Sequence, residues 1–173
     1  INFIDAKPAN VLLMSAEESL SLIVKPRLEA INAPCDRFIA IDEPFTLDSD
    51  GLLRAEMVIA EVEPDLVLID PLFSYTGRVK LNDDNEIRSV TDGLKRIAEK
   101  FGCAIVGIRH INKSKGFGDA RSAGLNGVGW RASARSALLV GKDNETGKTA
   151  IVQTKTNLSP EHPKALGYKI ESV

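Results

Sequence analysis

Cysteine is nearly absent. Only Cys35 and Cys103 occur in 173 residues, far apart and without the close spacing of metal ligands. That favours reduced, buried thiols in a cytoplasmic protein over a disulfide or a metal site. Charge of one sign is also missing. The net charge is −2, which excludes a globally basic nucleic-acid binder but leaves room for a local basic loop. No apolar run approaches the roughly 20 residues of a membrane-spanning helix, and no signal peptide is visible. The chain opens Ile1-Asn2-Phe3-Ile4 rather than on methionine, from which we expect a natural start further upstream. What remains is ordinary globular material, 43% hydrophobic and 27% charged, with no repeat or low-complexity tract. Its length suits a single domain over residues 1–173 with a sizeable core.

The patterning alternates between strand and helix. Val11-Leu12-Leu13-Met14, Phe38-Ile39-Ala40-Ile41, Leu66-Val67-Leu68-Ile69 and Cys103 to Ile108 are short continuous apolar runs, the mark of parallel strands buried on both faces. Between them lie helical stretches. The first begins at Ser15, a candidate N-cap, carries Leu20, Ile23, Val24, Leu28 and Ile31 on one face, and is expected to kink or divide at Pro26. The second runs Leu52 to Val62 after a polar loop from Pro44 to Gly51. The third, with Ile87, Val90, Leu94, Ile97 and Phe101, stops at Gly102. Phe73 to Asn85 reads as irregular, and Ile111 to Gly129 as a glycine-rich loop. Ser136–Val140, Ala150–Thr154 and Leu166–Ile170 then read as strands without intervening helices, the first two joined by a hairpin turn at Asn144 to Gly147. That order predicts an α/β fold: a mostly parallel sheet flanked by helices, with a C-terminal antiparallel extension.

In such sheets ligands bind beyond the carboxyl ends of the strands. Three of those ends present polar residues: Glu17 with Glu18, Asp70, and His110. Paired acids and a histidine at one sheet edge suit hydrolysis of a phosphoanhydride. One carboxylate orients an attacking water, another holds Mg²⁺, and the histidine senses phosphate. Arg131 and Arg135 could stabilise charge on a transferring phosphoryl group. Each residue also has a plainer reading. Glu17 and Glu18 can be first-turn acids on a helix dipole, Asp70 a turn cap, His110 a boundary histidine and Arg135 a surface ion-pair partner. His162, in a proline-rich turn, has no assigned role.

Five segments in order carry a resemblance. They are Ser15-Ala16-Glu17-Glu18-Ser19, Leu68-Ile69-Asp70-Pro71-Leu72, Ile108-Arg109-His110-Ile111-Asn112-Lys113, Trp130-Arg131-Ala132-Ser133-Ala134-Arg135-Ser136, and Gln153-Thr154-Lys155-Thr156-Asn157-Leu158. Together they resemble the RecA-like ATPases of the RepA type, hexameric replicative helicases of plasmids and mobile elements. The resemblance implies that Glu17 activates water, Asp70 is the Walker B aspartate holding Mg²⁺, and His110 senses the γ-phosphate. By the same resemblance Arg135, in preference to Arg131, reaches a neighbouring subunit's site, with Glu18 left as a capping residue. Lys155 and Asn157 lie near the nucleotide. The loop with Lys113, Lys115 and Arg121 would face single-stranded DNA, its aromatic-poor surroundings suiting phosphate contact better than base stacking. ATP, Mg²⁺ and a homo-oligomer are implied.

One element of that family is absent from these residues. No Gly-x-x-x-x-Gly-Lys followed by Ser or Thr occurs; Gly147-Lys148-Thr149 lacks the first glycine and sits in the hairpin. In the family this loop precedes the strand at Val11, so the fold is expected to be incomplete at its N-terminus and truncated before the second core strand. Tight ATP binding and turnover are then not expected of the chain as given. Exposed strand edges would favour a dimer or a swapped assembly. A non-catalytic RecA-like scaffold or oligomerisation module is the alternative. A regulatory RecA-like protein of the circadian-clock or DNA-repair kind shares the fold, but the segments at Trp130 and Lys155 are closer to the RepA type.

Overall fold

Four apolar residues in a row are too few for an amphipathic helix, and Val11–Ser15 forms the strand β1, buried from Leu12 onward. A computed structural model describes residues 8–41, 43, 45–77, 83–110, 128–143, 145–160 and 163–170. Beside β1 lie β2 (Phe38–Ile41) and β3 (Leu66–Asp70), and β4 (Ala104–Gly107) follows β3. All pairings are parallel and the order is β2-β1-β3-β4. The register sets Ser15 opposite Asp70, and Ala16 N–H donates to Asp70 O at 3.2 Å. The carboxyl ends of the two central strands therefore finish side by side.

The helices depart from the sequence reading at their starts. Ser15 is the buried last residue of β1, and the cap is Ser19, whose Oγ accepts from Leu22 N–H at 3.3 Å. Glu17 and Glu18 thus lie in the turn before the helix, not in its first turn. Glu18 ion-pairs with Arg27 at 2.8 Å instead of capping. The expected division at Pro26 is present: a π-turn over Leu20–Val24 passes into α1 (Lys25–Ala30), with the proline in its first turn. Helix α2 (Ser49–Val62) begins three residues before Leu52, because Asp48 accepts from Gly51 N–H and caps it. Gly51 cannot carry a side chain, since a Cβ there would lie 1.5 Å from Thr46 O. Helix α3 (Asp84–Phe101) ends at Gly102, whose φ of 68° needs glycine. It meets α2 where Gly93 faces Leu52.

After Asp70 the chain is more ordered than expected. Pro71 follows a cis peptide bond, and Leu72–Tyr75 forms a 3₁₀ turn with Leu72 and Tyr75 buried. Leu47 N–H donates to Tyr75 O at 2.6 Å, and the Phe45 and Tyr75 rings meet edge to face at 5.9 Å. Strand β4 differs from the buried strand expected at Cys103 to Ile108. It pairs on one side only among the described residues, and Val106 and Ile108 are exposed.

The chain divides into two units: Ile1–Lys80 with Ser89–Ile111, and Leu81–Arg88 with Asn112–Val173. The first holds the parallel sheet. The second holds the antiparallel extension, β5 (Ser136–Lys142), β6 (Thr149–Thr156) and β7 (Leu166–Tyr168) in that order, with the short helix α4 (Val128–Ser133) preceding it. The hairpin turn between β5 and β6 is drawn by Asp143, whose carboxylate accepts from the N–H of Glu145 and Thr146. Trp130 is buried. Among the described residues no helix is long and apolar enough to cross a membrane.

Candidate active site

The site lies in the first unit, at the carboxyl edge of the parallel sheet. Asp70 ends β3 as it must if the apolar run stops at the sheet edge, and the buried Pro71 halts the ladder there. Glu17 follows β1 by two residues. His110 follows β4 by three, and its Nε2 lies 3.5 Å from Glu17 Oε2. Both of those side chains are more than half exposed, at 69% and 57%, so solvent and a ligand can reach them. Asp70 is half-buried, and its carboxyl is pushed above the usual aspartate value. Burial is the main cause, with Glu17 and Glu18 adding to it and His110 opposing it. The three residues that the sequence singled out are thus brought together.

This arrangement fits a divalent cation of the kind that accompanies phosphate. No three His, Cys, Asp or Glu side chains among the described residues converge as a metal cage. Mg²⁺ does not require one, since it is commonly held by one or two carboxylates with waters and substrate phosphates. Asp70, desolvated and faced by two more acids, is a carboxylate that a cation would relieve. Glu17, exposed and next to His110, is placed to accept a proton from water and to be steered by the imidazole.

Arg109 is the residue that sequence reading missed. Its guanidinium carbon lies 4.3 Å from the centre of the Phe73 ring, and burial lowers its proton affinity from the usual arginine value. An arginine closing an otherwise apolar strand was the available signal.

The remaining candidates lie in the second unit or outside the described residues. Arg131 donates to Thr154 O at 2.8 Å. Lys155 donates through its ammonium to Ala132 O and Ala134 O, closing the last carbonyls of α4. Asn157 N–H donates to Arg135 O at 2.9 Å, and Arg135 is exposed. Lys113, Lys115, Arg121 and His162 lie outside the described residues.

Comparison with known proteins bears on the family and the fold. The model of the AAA domain family (AAA_25) matches residues 2–116, the stretch that carries Glu17, Asp70 and His110. The chain belongs to the AAA domain family. The fold of this AAA domain is shared with a KaiC-like protein from the hyperthermophilic archaeon Pyrococcus horikoshii OT3, at a TM-score of 0.65 and 15% identity. The alignment covers 94% of this chain and 72% of that one. The fold class is therefore RecA-like α/β, a parallel sheet flanked by helices with an antiparallel extension, in an ATPase-type domain. No curated protein matches the chain.

Proposed function

We propose that this AAA domain carries the metal-holding and water-activating half of an ATPase site, in a DNA-dependent oligomeric ATPase of the RepA helicase type. The single observation that carries this reading is the convergence of Glu17, Asp70 and His110 at adjacent parallel-strand ends, with Glu17 and His110 3.5 Å apart. Bound Mg²⁺ would supply charge neutralisation of the phosphates from a position on Asp70. Glu17 accepts the proton of the attacking water, and His110 holds that carboxylate and reports on the terminal phosphate. Arg135 serves a neighbouring subunit's site, Lys155 and Asn157 lie near the nucleotide, and Lys113, Lys115 and Arg121 touch single-stranded DNA. No Gly-x-x-x-x-Gly-Lys followed by Ser or Thr occurs in these 173 residues, so on this reading they turn over little ATP by themselves. Self-association through strand edges accompanies this, β4 pairing on one side only among the described residues.

The test compares ATP turnover by the 173-residue chain with turnover by the longest natural chain that contains it. In the latter, Glu17→Gln lowers kcat by roughly 10²- to 10⁴-fold while leaving nucleotide affinity nearly unchanged. Turnover by the 173-residue chain that Asp70→Asn abolishes would sink the claim that the loop is needed. An undiminished kcat in Glu17→Gln would remove the base. The absence of the loop pattern from these residues also supports a second reading, a non-catalytic scaffold. It expects no turnover in any longer form.

A further inference from the structure

The end of β4 is held by three successive contacts with the turn after Asp70. At Gly107 the missing side chain admits Leu72, where a Cβ would lie 2.9 Å from Leu72 Cδ2. At Ile108 the backbone is bonded twice: its N–H donates to Ile69 O at 2.9 Å, and its C=O accepts from Leu72 N–H at 2.8 Å. At Arg109 the guanidinium lies on the Phe73 ring at 4.3 Å. The turn itself is a firm platform, because Pro71, Leu72 and Tyr75 are buried, and its half-buried Phe73 receives the arginine. The next residue, His110, is 69% exposed and reaches sideways to Glu17. The charges that bear on Asp70 include those of His110, Glu17 and Glu18.

We infer that Arg109 and Phe73 form a positioning pair, the last clamp on β4, which fixes where His110 sits beside Glu17. A guanidinium suits this role better than an ammonium, because its flat face stacks on a ring while its stem packs along the strand. This rests on the reading of His110 as a site residue, but it concerns the geometry of the chain without nucleotide.

Ring signals of His110 in proton–carbon NMR spectra, assigned against His162→Gln, provide the readout on the 173-residue chain. In the parent, Glu17→Gln moves those signals because the two side chains touch. Both Arg109→Met and Phe73→Leu should shrink that response at least about two-fold, whereas Phe73→Tyr, which keeps the ring, should preserve it. A full response to Glu17→Gln in either Arg109→Met or Phe73→Leu would overturn the inference, as would its loss in Phe73→Tyr. Melting curves on the same variants separate loss of position from loss of fold. No step uses nucleotide, so failed ATP turnover leaves this result standing, and a negative result here leaves the ATPase reading standing.

Discussion

Lys155 and Asp70 are both charged groups near the end of a strand, and their surroundings differ in kind. The Lys155 ammonium is engaged by two carbonyls at the end of α4, one of them Ala134 O at 2.6 Å. Arg131, on that helix, returns the link through Thr154 O at 2.8 Å. In the second unit, then, cations close backbone acceptors and tie helix to strand. Asp70 in the first unit is desolvated and faced by two glutamates, with one exposed imidazole against them. Charges that satisfy carbonyls stabilise a fold. Charges of one sign gathered at a sheet edge cost stability and mark a place where a ligand completes the set.

The largest effect expected from this contrast is on the lysine. Lys155→Met keeps most of the stem and removes both charge-assisted bonds, at a cost of about 1.5 kcal/mol. A domain of this size should melt roughly 3–6 °C lower. Nucleotide affinity of any form that binds nucleotide should stay unchanged. The contrast breaks if affinity falls while the melting temperature holds, because Lys155 would then serve the nucleotide, as its resemblance implies, and not the helix.

Asp70→Asn should act in the opposite direction. A carboxyl whose proton affinity is raised on folding binds more protons folded than unfolded between the ordinary aspartate value near 3.8 and its raised value. Stability therefore falls as pH rises through that window, and the cost is fully present above it. Replacing the carboxylate by an amide relieves it and raises stability at pH 7. The gain should vanish on acidification below the ordinary value. Urea unfolding of both proteins at pH 7 and pH 3.5 measures it. Destabilisation at pH 7 would mean that the acids at this edge are structurally paired.

What the sequence made legible follows from the same physics. Runs such as Val11 to Met14 and Leu66 to Ile69 can be little but strands buried on both faces. A parallel sheet puts its strand ends on one edge, so Glu17, Asp70 and His110 could be gathered before any coordinates. Features set by backbone acceptors or by distant partners were not legible. Ser15 reads as a cap on paper, but β1 runs one residue beyond Met14 to include it, and Ser19 caps instead. Leu72 to Tyr75 is too short for periodicity to show its 3₁₀ turn. Lys155 meets carbonyls, which leave no trace in residue identity, and Arg109 meets a ring on a different strand's turn.

The smallest expected effect sets a control of the opposite sign within the first unit. Asp48 caps α2 and is fully exposed. The Thr46 hydroxyl, then the Gly51 N–H, lower its carboxyl below the usual 3.8. A carboxylate shifted this way contributes stability above the ordinary value and loses it as pH falls through the folded value. Asp48→Asn retains a side-chain acceptor at the cap, so the melting temperature at pH 7 should move by no more than about 1–2 °C. Its consequence appears on acidification: the variant should lose less stability than the parent between pH 5 and pH 3, whereas Asp70→Asn should lose more. If both substitutions bend the pH profile the same way, the distinction between a satisfied and an unsatisfied acid fails. The raised proton affinity of Asp70 would then no longer single out that sheet edge as the place for a cation.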